Sequence, residues 1–439
     1  MTFSAALRAG YAQACVTPPL GLPMEGLGQQ GGIAKIHDDL FVRALFLAHG
    51  RRRALLLGCD LLFFERGDVD RIKGAIGRRL DFPPGQILLN CSHNHAGPRL
   101  TRWSYTGQAD PAYLDEVVEA FVDAAVAAAA GPRPVSVWAG TTTTAVPVCR
   151  RRIDAAGRAQ WAPTRSGITC NALPVCVLRD DGGGVLSVLF SVSCHPSMIY
   201  FNEVSAEYPG AAVRRLNARL ATGGAFFLQG AGGDAKPRPV AVGEEHWRQG
   251  TWEEMEAVGE ELADAVAACV GTGLRPVRPD LRLASASMEW PLQEVPASSH
   301  FRAVAADGVE REARRLWGRD MLARIERRGG LPAAIAVEVH ALQLGEGLRL
   351  IGLNGELVGE LGNLILDVYD RGVTFPMGYT DGAEVYLPSD RMVAEGGYEV
   401  DSYWEYHWPA PLRPGMNGNL EGCLRRLQAS GRLPNSTTG

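Results

Sequence analysis

The sequence predicts an α/β protein of mixed β-sheets covered by helices. Three observations carry that expectation. Apolar runs of strand length recur along the chain, several joined by short glycine-containing turns that read as hairpins. Longer helical stretches alternate with them, among them the alanine-rich segment Tyr113 to Ala130. No run approaches the roughly 20 apolar residues that span a bilayer.

Taken in order, residues 8–33 are rich in Gly and Pro and read as an irregular segment wrapped on the core. Leu40 to Ala48 and Ala54 to Cys59 form a hairpin through Gly50, with Asp60 ending the second strand at a polar point. Val69 to Leu80 is an amphipathic helix, and Ile87 to Asn90 is the next strand. Tyr113 to Ala130 is a helix closed by Gly131 and Pro132. Val135 to Thr144 is a strand, followed by Arg150, Arg151 and Arg152, which read as a solvated or acid-pairing patch or as an arginine in a cleft. Ala172 to Arg179 and Val185 to Ser193 flank a turn of two aspartates and three glycines. Ala225 to Leu228 is a short strand feeding the glycine-rich run Gly230 to Asp234. That run lacks the Lys-Ser/Thr of a phosphate-binding loop, so its glycines imply close backbone approach.

Glu253 to Val270 and Val309 to Arg327 are helices, with residues 272–304 between them Pro-rich and then strand-like. Ile335 to Leu344 and Leu348 to Leu353 form a further hairpin. Residues 375–410 are polar and aromatic-rich with little periodicity, and 434–439 form a polar tail expected to be disordered. No internal repeat or linker divides the chain, so 1–433 reads as one domain, although a length of 439 residues also allows two or three.

The bulk numbers narrow the function classes. With 44 Lys and Arg against 49 Asp and Glu, the net charge of −5 offers no general attraction to nucleic acid or to an anionic membrane. Nine cysteines, an odd number without Cys-x-x-Cys, favour a reducing compartment over a disulfide scaffold. No apolar signal region opens the chain, so a soluble, cytoplasmic protein is expected. The expected partner is a small-molecule substrate, and the oligomeric state stays open.

Chemistry concentrates at strand ends. Ile87 to Leu89 stops at Ser92-His93-Asn94-His95, with Gly97 and Pro98 just beyond. In an extended segment the side chains of His93 and His95 share a side, so the pair reads either as a metal or catalytic site or as ordinary loop histidines. A second apolar strand runs into His195, and a third ends in Asn354-Gly355-Glu356. Two histidines and a glutamate leave a position for water on zinc, the donor pattern of catalytic zinc hydrolases.

These motifs resemble the catalytic domain of the neutral ceramidases. That family carries Thr-His-Thr-His-Ser-Gly-Pro where this chain has Ser92-His93-Asn94-His95-Ala96-Gly97-Pro98. Its zinc glutamate lies in Pro-Gly-Glu, and Gly355-Glu356 matches two of those three. Tyr386 and Tyr398 repeat the family's spacing of twelve between two active-site tyrosines, with Glu399 following the second. Ala9-Gly10-Tyr11 to Thr17-Pro18 is similar to the family's opening segment. The resemblance implies zinc held by His93, His195, Glu356 and Tyr386. It further implies His95 as acid and base, Tyr398 as hydrogen-bond donor to the oxyanion, and Arg150 as an active-site arginine. The reaction implied is hydrolysis of an amide through a metal-activated water. An ester, lactone or glycosidic bond is the alternative, as is a metal-holding binding protein without turnover.

The departures concern the substrate. Gly233-Asp234-Ala235-Lys236-Pro237 puts lysine where the family has a substrate-contacting serine. Asp234 and Lys236 are therefore assigned to substrate binding, although the pair could equally satisfy each other. Trp404, in the aromatic run Tyr403 to Trp408, suits stacking on a substrate ring or core packing. The family's secretion signal and C-terminal immunoglobulin-like domain are not found. A small polar or aromatic-tolerant substrate is expected, not a long-chain ceramide.

Overall fold

The computed structural model describes residues 6–26, 31–101 and 107–435. The end of the expected polar tail, 436–439, lies outside them.

A nine-stranded mixed sheet forms one layer. Its path runs Ala225–Gln229, Val185–Val192, Ala172–Asp180, Arg133–Thr143, Arg8–Cys15, Phe41–His49, Arg52–Cys59, Ile87–Cys91, and Arg275–Val277 pairs with Arg133–Thr143 off that path. The two pairs at its ends are parallel. A second, four-stranded sheet runs Pro279–Pro291, Ala334–Gly345, Leu348–Leu353, Val373–Met377, the last pair again parallel. Alternation along each strand assigns the faces. Leu56 and Leu88 of the large sheet pack with Leu342, Leu350 and Phe375 of the small one. Leu55, Leu57, Ile87 and Leu89 point the other way, under the helices Arg66–Leu80 and Pro111–Ala130. Glu207–Arg219 and Trp252–Ala268 cover the rest of that face, and Gly359–Val368 and Met416–Ala429 cover the small sheet. The layers are helices, sheet, sheet, helices, which is the α/β class expected of mixed sheets under helices.

Three expectations need correction. Arg8–Cys15 is no wrapped loop but an inner strand, paired along its length with Phe41–His49. Gly10 misleads because it serves packing and not a turn: a Cβ there would lie 2.0 Å from the Ala128 carbonyl oxygen of the overlying helix. Residues 272–304, expected to be strand-like, end in the helix Ser298–Ala306. Residues 147–164, not read as regular, form the antiparallel pair Pro147–Ile153 and Ala159–Thr164.

The polar ends gather. Ile87–Cys91, Val185–Val192, Ala225–Gln229, Leu348–Leu353 and Val373–Met377 all open toward one region. Bridges Asn90↔Thr380 and Gly230↔Met377 join the two sheets there, and Asn90 Nδ2 donates to the Gly378 carbonyl at 2.8 Å. Parallel strands ending together are where α/β sheets place ligands.

Candidate metal centre and active site

His93 is 2% exposed and has φ of 62°, left-handed for a residue with a Cβ. The His-x-His segment is therefore not extended, as same-side geometry had required. The turn at His93, with Asn94 Nδ2 bonded to Asp60 and Ser205 carbonyls at 3.1 and 2.7 Å, brings the two rings together instead. Their centroids are 4.6 Å apart and nearly perpendicular. Tyr379, at φ of 50°, is strained with its ring stacked on His93 at 4.2 Å; such strain costs about 1–3 kcal/mol per residue and collects at functional sites.

Each ring is oriented by a main-chain carbonyl. His195 Nδ1–H donates to Gly232 O at 2.7 Å and His93 Nδ1–H to Leu62 O at 3.3 Å. Carbonyls only accept, so both Nδ1 atoms carry a proton and the Nε2 atoms face inward. They lie 3.4 Å (His93) and 3.3 Å (His195) from Glu356 Oε2. Glu356 and Tyr386 are register partners in a two-residue parallel bridge, which sets the carboxylate beside the phenol. Tyr386 Oη is 3.5 Å from His195 Nε2 and accepts from Arg150 Nη2 at 3.0 Å. The glycine run closes the back: a Cβ on Gly233 would meet the Glu356 carbonyl at 2.7 Å.

The donor set fits a cation. One nitrogen from each of His93, His95 and His195 lies within 4.8 Å of the others. His93 Nε2 is buried without a hydrogen-bond partner among the described residues. Burial, Arg150 and His93 push His195 down to about 4, and burial with the two neighbouring imidazoles pushes His95 well below its usual range. Glu356 is held well below the usual carboxylate range by His93 and His195 against the opposing effect of burial. A buried carboxylate set against converging imidazole nitrogens is a donor set that a metal ion satisfies.

Arg150 is buried and acid-paired, and it touches His195 and Tyr386 without lining the cavity above them. Its Nε donates to Glu399 Oε1 at 2.7 Å, Nη1 lies 3.5 Å from His195 Nε2, and its guanidinium carbon sits 4.3 Å from the Trp161 ring centroid. Arg151 takes the other Glu399 oxygen. Tyr398, 39% exposed, edges Tyr386 at 5.6 Å but donates its hydroxyl to Glu405 at 2.7 Å.

A cavity of about 1640 Å³ opens over these groups. His93, His95, Glu356, Tyr386, Tyr398 and Trp404 line it, and its wider wall carries Glu25, Arg66, Arg99, Arg311, Arg324 and Glu384. Lys236 does not line it. It is 2% exposed, with Nζ bonded to the Ser197 carbonyl at 3.2 Å and Tyr200 Oη at 2.7 Å. Asp234 does not line it either; Oδ1 accepts from Gly359 N at 2.7 Å. These two satisfy the scaffold, though not each other. Trp404 packs with Phe301, Trp317 and Met321 and also edges the cavity. Sequence reasoning missed Phe63, Tyr379 and Tyr406. Only the aromatic density of the segment after 375 hinted at the last two.

No protein-family model matches this chain, and no curated protein does. Solved structures do. The fold is similar to that of neutral ceramidase. The Pseudomonas aeruginosa enzyme superposes with a TM-score of 0.72 over 99% of this chain and 76% of that one, at 15% identity. A ceramidase complexed with C2 gives 0.71 over 99% and 77%, again at 15%. At that identity the likeness is one of fold.

Proposed function

We propose that this chain is a zinc-dependent hydrolase that cleaves an amide bond in a small polar substrate, not in a long-chain ceramide. The observation that carries the reading is the convergence of His93, His195, Glu356 and Tyr386, with both Nε2 atoms set inward. The ceramidase-like fold supports amide hydrolysis. Bound zinc supplies a Lewis acid for the carbonyl and lowers the pKa of a water to roughly 7. His95, kept neutral by its surroundings, takes the proton from the attacking water and returns it to the leaving nitrogen. Arg150, locked by Glu399, holds the Tyr386 oxygen and keeps positive charge beside the site. Tyr398 turns from Glu405 to donate to the oxyanion. Residues 1–433 act as one catalytic domain in this reading.

Support for a polar substrate comes from the charged cavity wall, against which an acyl chain would strand desolvated Glu and Arg. Nine free thiols support a cytoplasmic setting. Among the described residues no helix is long and apolar enough to cross a membrane.

Protein purified without added metal should contain one zinc per chain by elemental analysis, and His195→Ala should lose it. Undiminished zinc in that variant would remove His195 from the site. Short N-acyl amides, esters and N-acylsphingosines are then compared at equal concentration, with and without chelator. A higher kcat/KM for the long-chain ceramide would overturn the polar-substrate reading. Ester cleavage without amide cleavage would change the bond.

A further inference from the structure

We infer that Tyr406 is a positioning residue that makes Glu356 a one-oxygen metal ligand, an assignment that rests on the metal site proposed above. The two oxygens of this carboxylate face different groups. Oε2 points to both imidazole Nε2 atoms, at 3.4 and 3.3 Å. Oε1 is turned away from them and receives the Tyr406 hydroxyl. Tyr379 also donates to Glu356, but to Oε2 and at 3.2 Å. The two tyrosines thus hold different oxygens, and Tyr406 holds the one turned from the imidazoles. With Oε1 engaged by Tyr406 and turned from the imidazoles, Oε2 is the oxygen placed to bind a metal beside His93 and His195, and a coordination position is kept for water and substrate.

The placement of Tyr406 is built, not incidental. It ends the turn Ser402–Tyr406, and His407 follows at φ of 63°. Trp408 Nε1 pins the chain just beyond to the Glu384 carbonyl at 2.7 Å. The Tyr406 ring stacks on Phe63 at 6.3 Å, and Phe63 stacks on His93 at 6.1 Å. Its other side meets the Tyr386 ring edge-on at 5.8 Å. Ring packing and hydroxyl function are therefore separable: Tyr406→Phe keeps the first and removes the second. Outer hydrogen bonds of this kind typically change metal affinity 10–100-fold.

The experiment compares wild type with Tyr406→Phe in two metal readouts that need no substrate. Zinc affinity is measured by competition with a chelator, and the visible spectrum is recorded after cobalt substitution. Circular dichroism of the metal-free proteins checks the fold. The expected result is a 10–100-fold loss of zinc affinity in Tyr406→Phe, a changed cobalt spectrum and an unchanged fold. Wild-type affinity and spectrum in the variant would overturn the assignment while leaving the metal site standing. Wild-type protein that takes up no zinc would overturn the metal site itself.

Discussion

The two halves of the site are held by different means. His93 and His195 leave the ends of sheet strands, and main-chain carbonyls of Leu62 and Gly232 set their rings. Tyr386, Tyr398 and Tyr406 come from short turns and bridges between residues 386 and 406, and side chains set them. Arg150 holds Tyr386, Glu405 holds Tyr398, and Tyr406 rests on Glu356. Main-chain contacts survive a side-chain substitution, so changes on the histidine half should strike chemistry and spare the fold. On the tyrosine half, each charged side chain is both scaffold and site, so one substitution should strike both.

The largest effect is expected at His95. It stands 4.6 Å from His93 and 5.4 Å from His195 by ring centroids, close enough for either role. As acid and base, its loss in His95→Ala should cost on the order of 10²–10⁴ in rate, with zinc content and melting temperature kept. Loss of zinc would exchange its role with that of a ligand histidine.

Next comes Glu399 on the tyrosine half. Its carboxylate is shared by Arg150 and Arg151, all three buried. Glu399→Gln leaves two buried guanidinium groups with no counter-charge at that position, a change that typically costs about 3–5 kcal/mol. Denaturant unfolding measures it, alongside activity that should fall in step. An unchanged unfolding midpoint would erase the contrast between the halves.

The same contrast explains what the sequence discloses. Strand ends at His93, His195 and Glu356 are legible because an apolar run of strand length stops at polar residues, a local signal. The partnership of Glu356 with Tyr386 is a bridge of two residues, too short for any periodicity. Tyr406 and Tyr379 join the site through tertiary contacts to a carboxylate 50 and 23 residues away. Lys236 shows the converse: alignment to a substrate-contacting position does not fix where a side chain points, and burial has turned this one to the Ser197 carbonyl. Gly10 shows that a glycine marks close approach as readily as a turn.

Lys236 gives the smallest effect and the sharpest refinement, because its ammonium is clamped to the loop after His195. The loop after His195 is held from one side by Lys236 and from the other by Glu207, whose Oε1 accepts from Met198 N at 2.5 Å and Ile199 N at 2.9 Å. Main-chain bonds such as His195 N to Ala235 O at 3.1 Å hold it as well, so Lys236→Met should leave zinc content intact. The signature lies in pH. Burial, aided by Arg150, lowers the amine to about 7, while an unfolded lysine titrates near 10.4. Below pH 7 both states are protonated and the folded state bears the burial penalty. Between pH 7 and about 10 the unfolded chain binds the extra proton, so Lys236 makes stability rise with pH, by up to about 1.4 kcal/mol per unit. Burial raises Glu207 to about 7 as well, and its contribution runs the other way, lowering stability between about pH 4.5 and 7. Urea unfolding midpoints from pH 7 to 9.5 should therefore climb less steeply in Lys236→Met than in the wild type. Parallel curves would mean that the folded amine stays charged across the range.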